Sequence, residues 1–104
     1  MDKNDALRLS QSYLKKLKNS NIGVAEAYLF GSFAKGNQHD NSDIDIAIVL
    51  KDHVDHTFDT DVQLMIYRKG EETMIEPHAF SKDEFDLKSP IVHQIITYGI
   101  KLEI

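Results

Sequence analysis

Residues 42–50 constrain the fold most, because every second residue from Ile44 to Leu50 is isoleucine or leucine. Successive side chains of a β-strand point to opposite faces, so this pattern predicts a strand with one apolar face. The apolar face is formed by Ile44, Ile46, Ile48 and Leu50. The opposite face carries Asp43, Asp45, Ala47 and Val49.

The rest of the chain predicts helices and strands that alternate with this one. The expected helices lie at Asp5–Asn19, after Gly31, from about Phe58 to Gly70, and between Ser81 and Tyr98. The other expected strands are Val24–Phe30 and Thr73–Phe80, and Ile100–Ile104 is compatible with a terminal strand. The order α-β-α-β-α-β-α, with that optional last strand, predicts an α/β sheet domain.

Two local signals refine the second half of this order. Pro77 has no amide hydrogen to donate, which predicts that its strand lies at an edge of the sheet or contains a bulge. Ser81 and Glu84 match an S-x-x-E capping box, and Ser89-Pro90 is a second helix start. One or two short helices are therefore expected before Gly99.

Length and composition limit the classes of protein to which the chain can belong. Its 104 residues, 41% of them apolar, suit one compact domain spanning 1–104. The net charge of −5 argues against general binding of nucleic acid, and the absence of cysteine excludes disulfides and thiolate metal sites. No apolar run approaches a membrane span and no signal peptide is apparent, so we expect a soluble, cytoplasmic protein.

Two neighbouring features carry the chemistry. Gly31-Ser32 ends a strand and is expected to begin a helix, which exposes backbone amides to an anion such as a phosphate. Asp43 and Asp45 are two residues apart on a strand, so their Cα atoms lie roughly 6.5–7 Å apart and their carboxylates can converge on Mg²⁺. A Gly-Ser turn alone is usually only a turn, and a solvated face tolerates paired acids. Their joint occurrence favours a site.

This segment resembles a known family. Gly31-Ser32-x-Ala34-Lys35-Gly36, followed by Ser42-Asp43-Ile44-Asp45-Ile46, is similar to the signature of the minimal nucleotidyltransferases of the DNA polymerase beta-like nucleotidyltransferase superfamily. The resemblance implies a small mixed sheet flanked by helices and the transfer of a nucleoside monophosphate to a hydroxyl. It also implies that an NTP is bound with two Mg²⁺ ions. The nucleotide-binding residues would be Gly31, Ser32, Lys35 and Ser42.

The resemblance also implies three metal-binding and catalytic carboxylates. Asp43 and Asp45 are the first two, and Glu76 is the best match for the third, with Glu71 and Glu72 as alternatives. Glu76 would complete the second metal site and receive the proton of the hydroxyl. Lys35 stands where arginine is more usual, which keeps the charge but loses the bidentate geometry. The five histidines show no metal-binding spacing, so no histidine is assigned to a metal.

The acceptor of the nucleotide is not encoded in any motif of this short chain. The resemblance suggests ATP as substrate and, as partner, a HEPN-domain toxin that is neutralised by the addition of AMP. Two alternatives stay open: a non-catalytic module that masks a toxin one to one, and a small-molecule nucleotidyltransferase of the aminoglycoside-resistance kind. The sequence also leaves homo-oligomer formation open.

Overall fold

A computed structural model describes residues 1–104 and begins with the longest helix, α1 (Lys3–Lys18). The Asp2 side chain accepts a hydrogen bond from the backbone N–H of Asp5 at 2.8 Å and so caps the first turn. Three lysines in the last turn complement the partial negative charge at the carboxyl end. α1 buries a stripe of apolar side chains that includes Leu9, Tyr13 and Leu17.

Four strands form one mixed sheet in the order β3-β2-β1-β4. The strands are β1 (Val24–Phe30), β2 (Ile44–Leu50), β3 (Ile75–Phe80) and β4 (Ile100–Lys101). β1 is antiparallel to both β2 and β4, whereas β2 and β3 are parallel. β3 is an edge strand, as Pro77 predicted, and the mixed sheet flanked by helices is confirmed.

The remaining helices connect these strands. They are α2 (Ser32–Lys35), α3 (Phe58–Ile66) and α4 (Pro90–Tyr98), and a 3₁₀ helix spans Gly70–Met74. Pro90 occupies the first turn of α4, where its missing N–H costs nothing. None of the helices combines the length and the apolar character needed to cross a membrane.

The main core lies between one face of the sheet and α1. Its 17 buried residues include the isoleucine face predicted for β2, together with Phe33 of α2 and Leu64 of α3. The hydroxyl of Tyr13 donates a hydrogen bond of 2.6 Å to the carbonyl of Leu64, which joins α1 to α3. Burial raises the pKa of Tyr13, so its hydroxyl keeps its proton.

The opposite face of the sheet is divided between aromatic packing and polar side chains. Phe85 stacks on Tyr28 with ring centroids 5.5 Å apart and meets the edge of Phe80 at 5.4 Å. Residues 81–89 therefore cover one end of this face. The other end, around Asp45, is left for the site described below.

Several predicted boundaries differ from the structure. β2 begins at Ile44 instead of Ser42, and β3 begins at Ile75 because residues 70–74 form the 3₁₀ helix. α3 ends at Ile66, before the predicted stop at Gly70. The terminal strand is present but short.

The Ser81/Glu84 capping box forms its two hydrogen bonds without a helix following it. The backbone turns here instead, so that the side chain of Phe85 packs on the aromatic rings of the sheet. Only the second predicted start, at Ser89-Pro90, begins a helix.

Candidate active site

The turn after β1 brings the backbone close to a carboxylate. Gly31 has φ +77°, a conformation that residues with a Cβ rarely adopt, and α2 begins at the next residue. A Cβ at Gly31 would overlap Oδ2 of Asp45. Glycine is therefore required here twice, for its backbone angle and for the approach of the turn to Asp45.

Asp45 and Glu76 are neighbours across the parallel pair β2–β3. Their Cα atoms are register partners, so both side chains leave the same face of the sheet. Asp45 is half-buried and Glu76 is exposed. Phe30 is the register partner of Asp45 on β1, which places the end of the turn strand beside the same carboxylate.

His78 joins these two acids, although no histidine was assigned to the site from the sequence. Its Nε2 atom lies 3.1 Å from Oδ1 of Asp45, and its ring meets the edge of Phe30 at a centroid distance of 5.1 Å. The hydrogen bond with Asp45 raises the pKa of His78 above its ordinary value, and partial burial opposes this rise. One ligand atom from each of Asp45, Glu76 and His78 lies within 4.8 Å of the others.

Asp43 and Ser42 lie just before β2. Asp43 is exposed and does not belong to the group formed by Asp45, Glu76 and His78. Ser42 is only 6% exposed, and its hydroxyl accepts a hydrogen bond of 2.8 Å from the backbone N–H of His39. Ser42 thus closes the loop that leads to Asp43, and its hydroxyl is engaged within the protein.

Lys35 lies at the wall of a pocket of about 310 Å³ beside the turn. Its Nζ atom is 3.4 Å from Oε1 of Gln94 and 5.6 Å from the centroid of the Tyr98 ring. Both partners belong to α4, so Lys35 joins the short α2 to that helix. The pocket is lined by Phe30, Gly31, Lys35, Pro90, Ile91, Gln94, Tyr98 and Gly99.

The alternatives for the third carboxylate lie elsewhere. Glu72 is buried against α1, where it pairs with Lys16 and accepts a hydrogen bond of 2.9 Å from the Ser12 hydroxyl. Burial alone would raise the pKa of Glu72, but Lys16, the N–H of Lys69 and Ser12 together lower it. Glu71 is exposed in the 3₁₀ helix. Neither belongs to the group around Asp45.

The residues around Asp45 fit a divalent cation. Two carboxylates and one imidazole offer the hard oxygen and borderline nitrogen donors that such ions take. The missing Cβ of Gly31 keeps the space beside Oδ2 of Asp45 clear. When bound, a divalent ion supplies positive charge that offsets the negative charge of a phosphate chain.

Comparison with known proteins identifies the family of this chain. The family model described as Polymerase beta, Nucleotidyltransferase matches residues 12–103. The chain belongs to the polymerase beta nucleotidyltransferase family. The family prediction drawn from the turn and the paired aspartates is thereby confirmed.

One relative is similar over part of its length. The protein adenylyltransferase MntA of Shewanella oneidensis is 44% identical to this chain over 50 residues. The matched segment covers 47% of this chain and 36% of that protein. The chain therefore matches only about a third of the relative's length.

Solved structures show the same fold. A candidate nucleotidyltransferase from Sulfolobus solfataricus superposes with a TM-score of 0.68 at 20% identity, over 95% of this chain and 80% of that one. A mutant of the toxin–antitoxin MntA–HpeT gives 0.60 at 22% identity, over 99% and 73%. A toxin–antitoxin structure with AMP-PNP gives 0.55 at 25% identity, over 99% and 73%.

Proposed function

We propose that residues 1–104 form a single nucleotidyltransferase domain that transfers AMP from ATP to a hydroxyl of a partner protein. The observation that carries the proposal is the approach of the Gly31 turn to Asp45, beside Glu76 on the neighbouring strand. The turn offers backbone amides to phosphates, and the carboxylates offer ligands to a divalent cation. The family match supports nucleotide transfer as the reaction class.

In the proposed reaction, the acceptor hydroxyl oxygen forms a bond to the α-phosphorus of ATP. The bond from that phosphorus to the oxygen bridging the α and β phosphates breaks, and pyrophosphate leaves. The hydroxyl proton passes to a carboxylate, for which Glu76 is exposed and suitably placed. Asp43 and Asp45, with Glu76, would hold two Mg²⁺ ions. The chain's own task is chiefly to position the phosphates and the hydroxyl.

The nucleotide is assigned to the turn and the pocket beside it. Gly31 and Ser32 would bind the phosphates, and Ser42 would support the loop that carries Asp43. The pocket shares Phe30, Gly31 and Lys35 with this region, and Tyr98 offers an aromatic face for a nucleobase. Lys35 lies within reach of the pocket and supplies a point charge for a phosphate.

ATP and a protein partner are favoured by the comparisons. The relative from Shewanella oneidensis is called a protein adenylyltransferase, and one similar structure is a toxin–antitoxin with AMP-PNP. We therefore assign a toxin as partner, with the HEPN toxin expected from the family resemblance as the first choice. The second candidate function, a one-to-one mask, is favoured by structural similarity to a toxin–antitoxin pair.

An assay with much less of this protein than of its partner distinguishes the transferase from the one-to-one mask. The proposed partner, a HEPN-domain toxin, is incubated with ATP, Mg²⁺ and one-twentieth of its molar amount of this protein, and the intact mass of the toxin is then measured. An enzyme adds AMP to most partner molecules. Inhibition that needs equimolar protein, ignores ATP and leaves the partner's mass unchanged would contradict the transferase and support the mask.

A further inference from the structure

The third member of the group around Asp45 is a nitrogen donor. Most residues expected at a magnesium site carry oxygen, and the sequence predicted only carboxylates here. The structure instead adds the imidazole of His78 to Asp45 and Glu76, with one ligand atom of each within 4.8 Å of the others. The donor set available to an ion is therefore mixed.

The position of His78 follows from the sheet. Glu76 and His78 are two residues apart on β3, so their side chains leave the same face. The register partner of His78 on β2 is Ala47, whose methyl group leaves room for the imidazole to lean toward Asp45. The ring of Phe30 meets that of His78 from the side. Packing thus fixes the imidazole next to the carboxylate.

The imidazole is also accessible. The His78 side chain is 30% exposed and that of Asp45 is 25% exposed, so an ion can reach both from solvent. Glu76 is exposed on the adjoining position. Only one nitrogen of His78 makes a hydrogen bond with a protein group, and that group is itself a candidate ligand. An ion bound between His78 and Asp45 would replace their hydrogen bond by one coordinate bond to each residue.

Donor type governs which ion such a group prefers. Mg²⁺ is held mostly by oxygen atoms, whereas imidazole suits first-row transition ions such as Fe²⁺, Ni²⁺ and Zn²⁺. Mn²⁺ also takes oxygen donors, but it binds imidazole more readily than Mg²⁺ does. We propose that His78 coordinates the ion held by Asp45 and Glu76 and shifts the preference of this site from Mg²⁺ toward a first-row transition ion such as Mn²⁺. This inference deepens the proposed function, on which it rests for the use of the ion.

The test measures metal binding without nucleotide or partner. Metal-free protein is titrated with Mn²⁺ while the electron paramagnetic resonance signal of free Mn²⁺ is recorded, and Mg²⁺ affinity is obtained by competition. The readout is the ratio of the Mg²⁺ and Mn²⁺ dissociation constants. His78→Gln is expected to weaken Mn²⁺ binding at least about tenfold, with a smaller change for Mg²⁺, so that the ratio falls.

Two further variants make the result decisive. His78→Asp replaces the nitrogen donor by oxygen and is expected to bind both ions while lowering the ratio, which also guards against a variant that merely fails to fold. His56→Gln is the matched control, because His56 lies outside the group and its removal should leave both affinities unchanged. Thermal melts check that each variant is folded.

Three outcomes would overturn the inference. These are no saturable Mn²⁺ binding, equal weakening of both ions in His78→Gln, as expected if His78 only orients Asp45, and an unchanged ratio in His78→Asp. None of them depends on nucleotide transfer. Conversely, a protein that binds Mn²⁺ through His78 but transfers no AMP would contradict the proposed function and leave this inference standing.

Discussion

Two histidines of this protein lie beside carboxylates, one with both ring nitrogens in contact and the other with only one. His56 faces a carboxylate with each ring nitrogen: Nδ1 is 2.7 Å from Glu84 and Nε2 is 2.8 Å from Asp61. His78 faces Asp45 with one nitrogen at 3.1 Å. Only an imidazolium donates from both nitrogens, so its two carboxylate partners favour the charged form of His56. His78 makes such a contact through one nitrogen only, which leaves its other nitrogen without a carboxylate partner.

The surroundings explain the difference. His56 lies in the loop after β2 and joins the start of α3, through Asp61, to the distant turn at residues 81–84, through Glu84. His78 lies within a strand, where the sheet fixes its neighbours. The same pair of residue types therefore stabilises a loop arrangement in one region and forms a candidate site in the other.

The largest effect is expected at Asp45. Asp45→Asn removes a metal-binding charge at nearly constant volume and should lower nucleotide transfer at least about 10³-fold, since a bound ion contributes several kcal/mol to the transition state. Thermal melting should change little. The control is Asp83→Asn, an exposed acid outside the group. Loss of folding with normal activity in the folded fraction would give Asp45 a structural role instead.

A pair of glycines tests the approach of the turn to Asp45. Gly31 and Gly36 have φ values of +77° and +78°, but an added Cβ meets Asp45 only at Gly31 and nothing within 4 Å at Gly36. Both alanine variants should lose about 1 kcal/mol or more of stability to backbone strain. Only Gly31→Ala should also lower transfer by about 10- to 100-fold, through displacement of the carboxylate. Equal losses of activity in the two variants would show that the contact of the Gly31 turn with Asp45 has no role in transfer.

The fold could be predicted from the sequence where the signal is local. The alternation along β2 and the missing amide hydrogen of Pro77 each predicted an observed feature. The turn at residues 81–89 could not be predicted in this way. The capping box is present, but no helix follows it, because Phe85 packs on Tyr28, which lies 57 residues away in the chain. Contacts between distant segments decided the backbone there.

The site shows the same limit. The spacing of Glu76 and His78 on one strand already placed both on one face, which is the signal that could have included His78. Its approach to Asp45, however, depends on the parallel register of β2 and β3, which no local pattern specifies. The ion pair between Glu72 and Lys16 could not be predicted either, because α1 and the 3₁₀ helix come together only in the folded chain.

Glu72 is an acid that stabilises the fold and lies outside the candidate site. Glu72→Gln should lower the free energy of unfolding by about 1–3 kcal/mol, because it removes a buried charge that accepts several hydrogen bonds. Transfer per folded molecule should not change. The pKa of Glu72 is lowered in the folded state, so this stabilisation is present above its ordinary value of 4.5 and is lost as the pH falls through the folded value. Chemical denaturation at several pH values measures both effects, and a fall in specific activity would contradict the separation.

The smallest effect is expected at His56. Burial lowers the pKa of His56, but the hydrogen bonds to Glu84 and Asp61 outweigh it and raise that pKa above 6.5. The N–H of Ser81 lowers the pKa of Glu84 below 4.5, and His56 adds to this. The link therefore stabilises the fold fully between pH 4.5 and 6.5 and weakens outside that range.

His56→Gln should accordingly cost about 0.5–1 kcal/mol within that range, since the carboxylate partners are half exposed. The difference from the unmodified protein should shrink as the pH rises through the folded pKa of His56. Urea denaturation followed by circular dichroism at a series of pH values measures it. A difference that does not vary with pH would show that His56 contributes by packing and not by charge.

Transfer of a nucleotidyl group by the residues beside the Gly31 turn can be tested through the position of an isotope in ATP. ATP labelled with ³²P at the α position, or separately at the γ position, is incubated with the protein, a divalent cation and the proposed HEPN-domain toxin. We expect label on the partner from α-labelled ATP only, and none with Asp45→Asn. Label from γ-labelled ATP, or equal α-labelling by Asp45→Asn, would contradict this expectation.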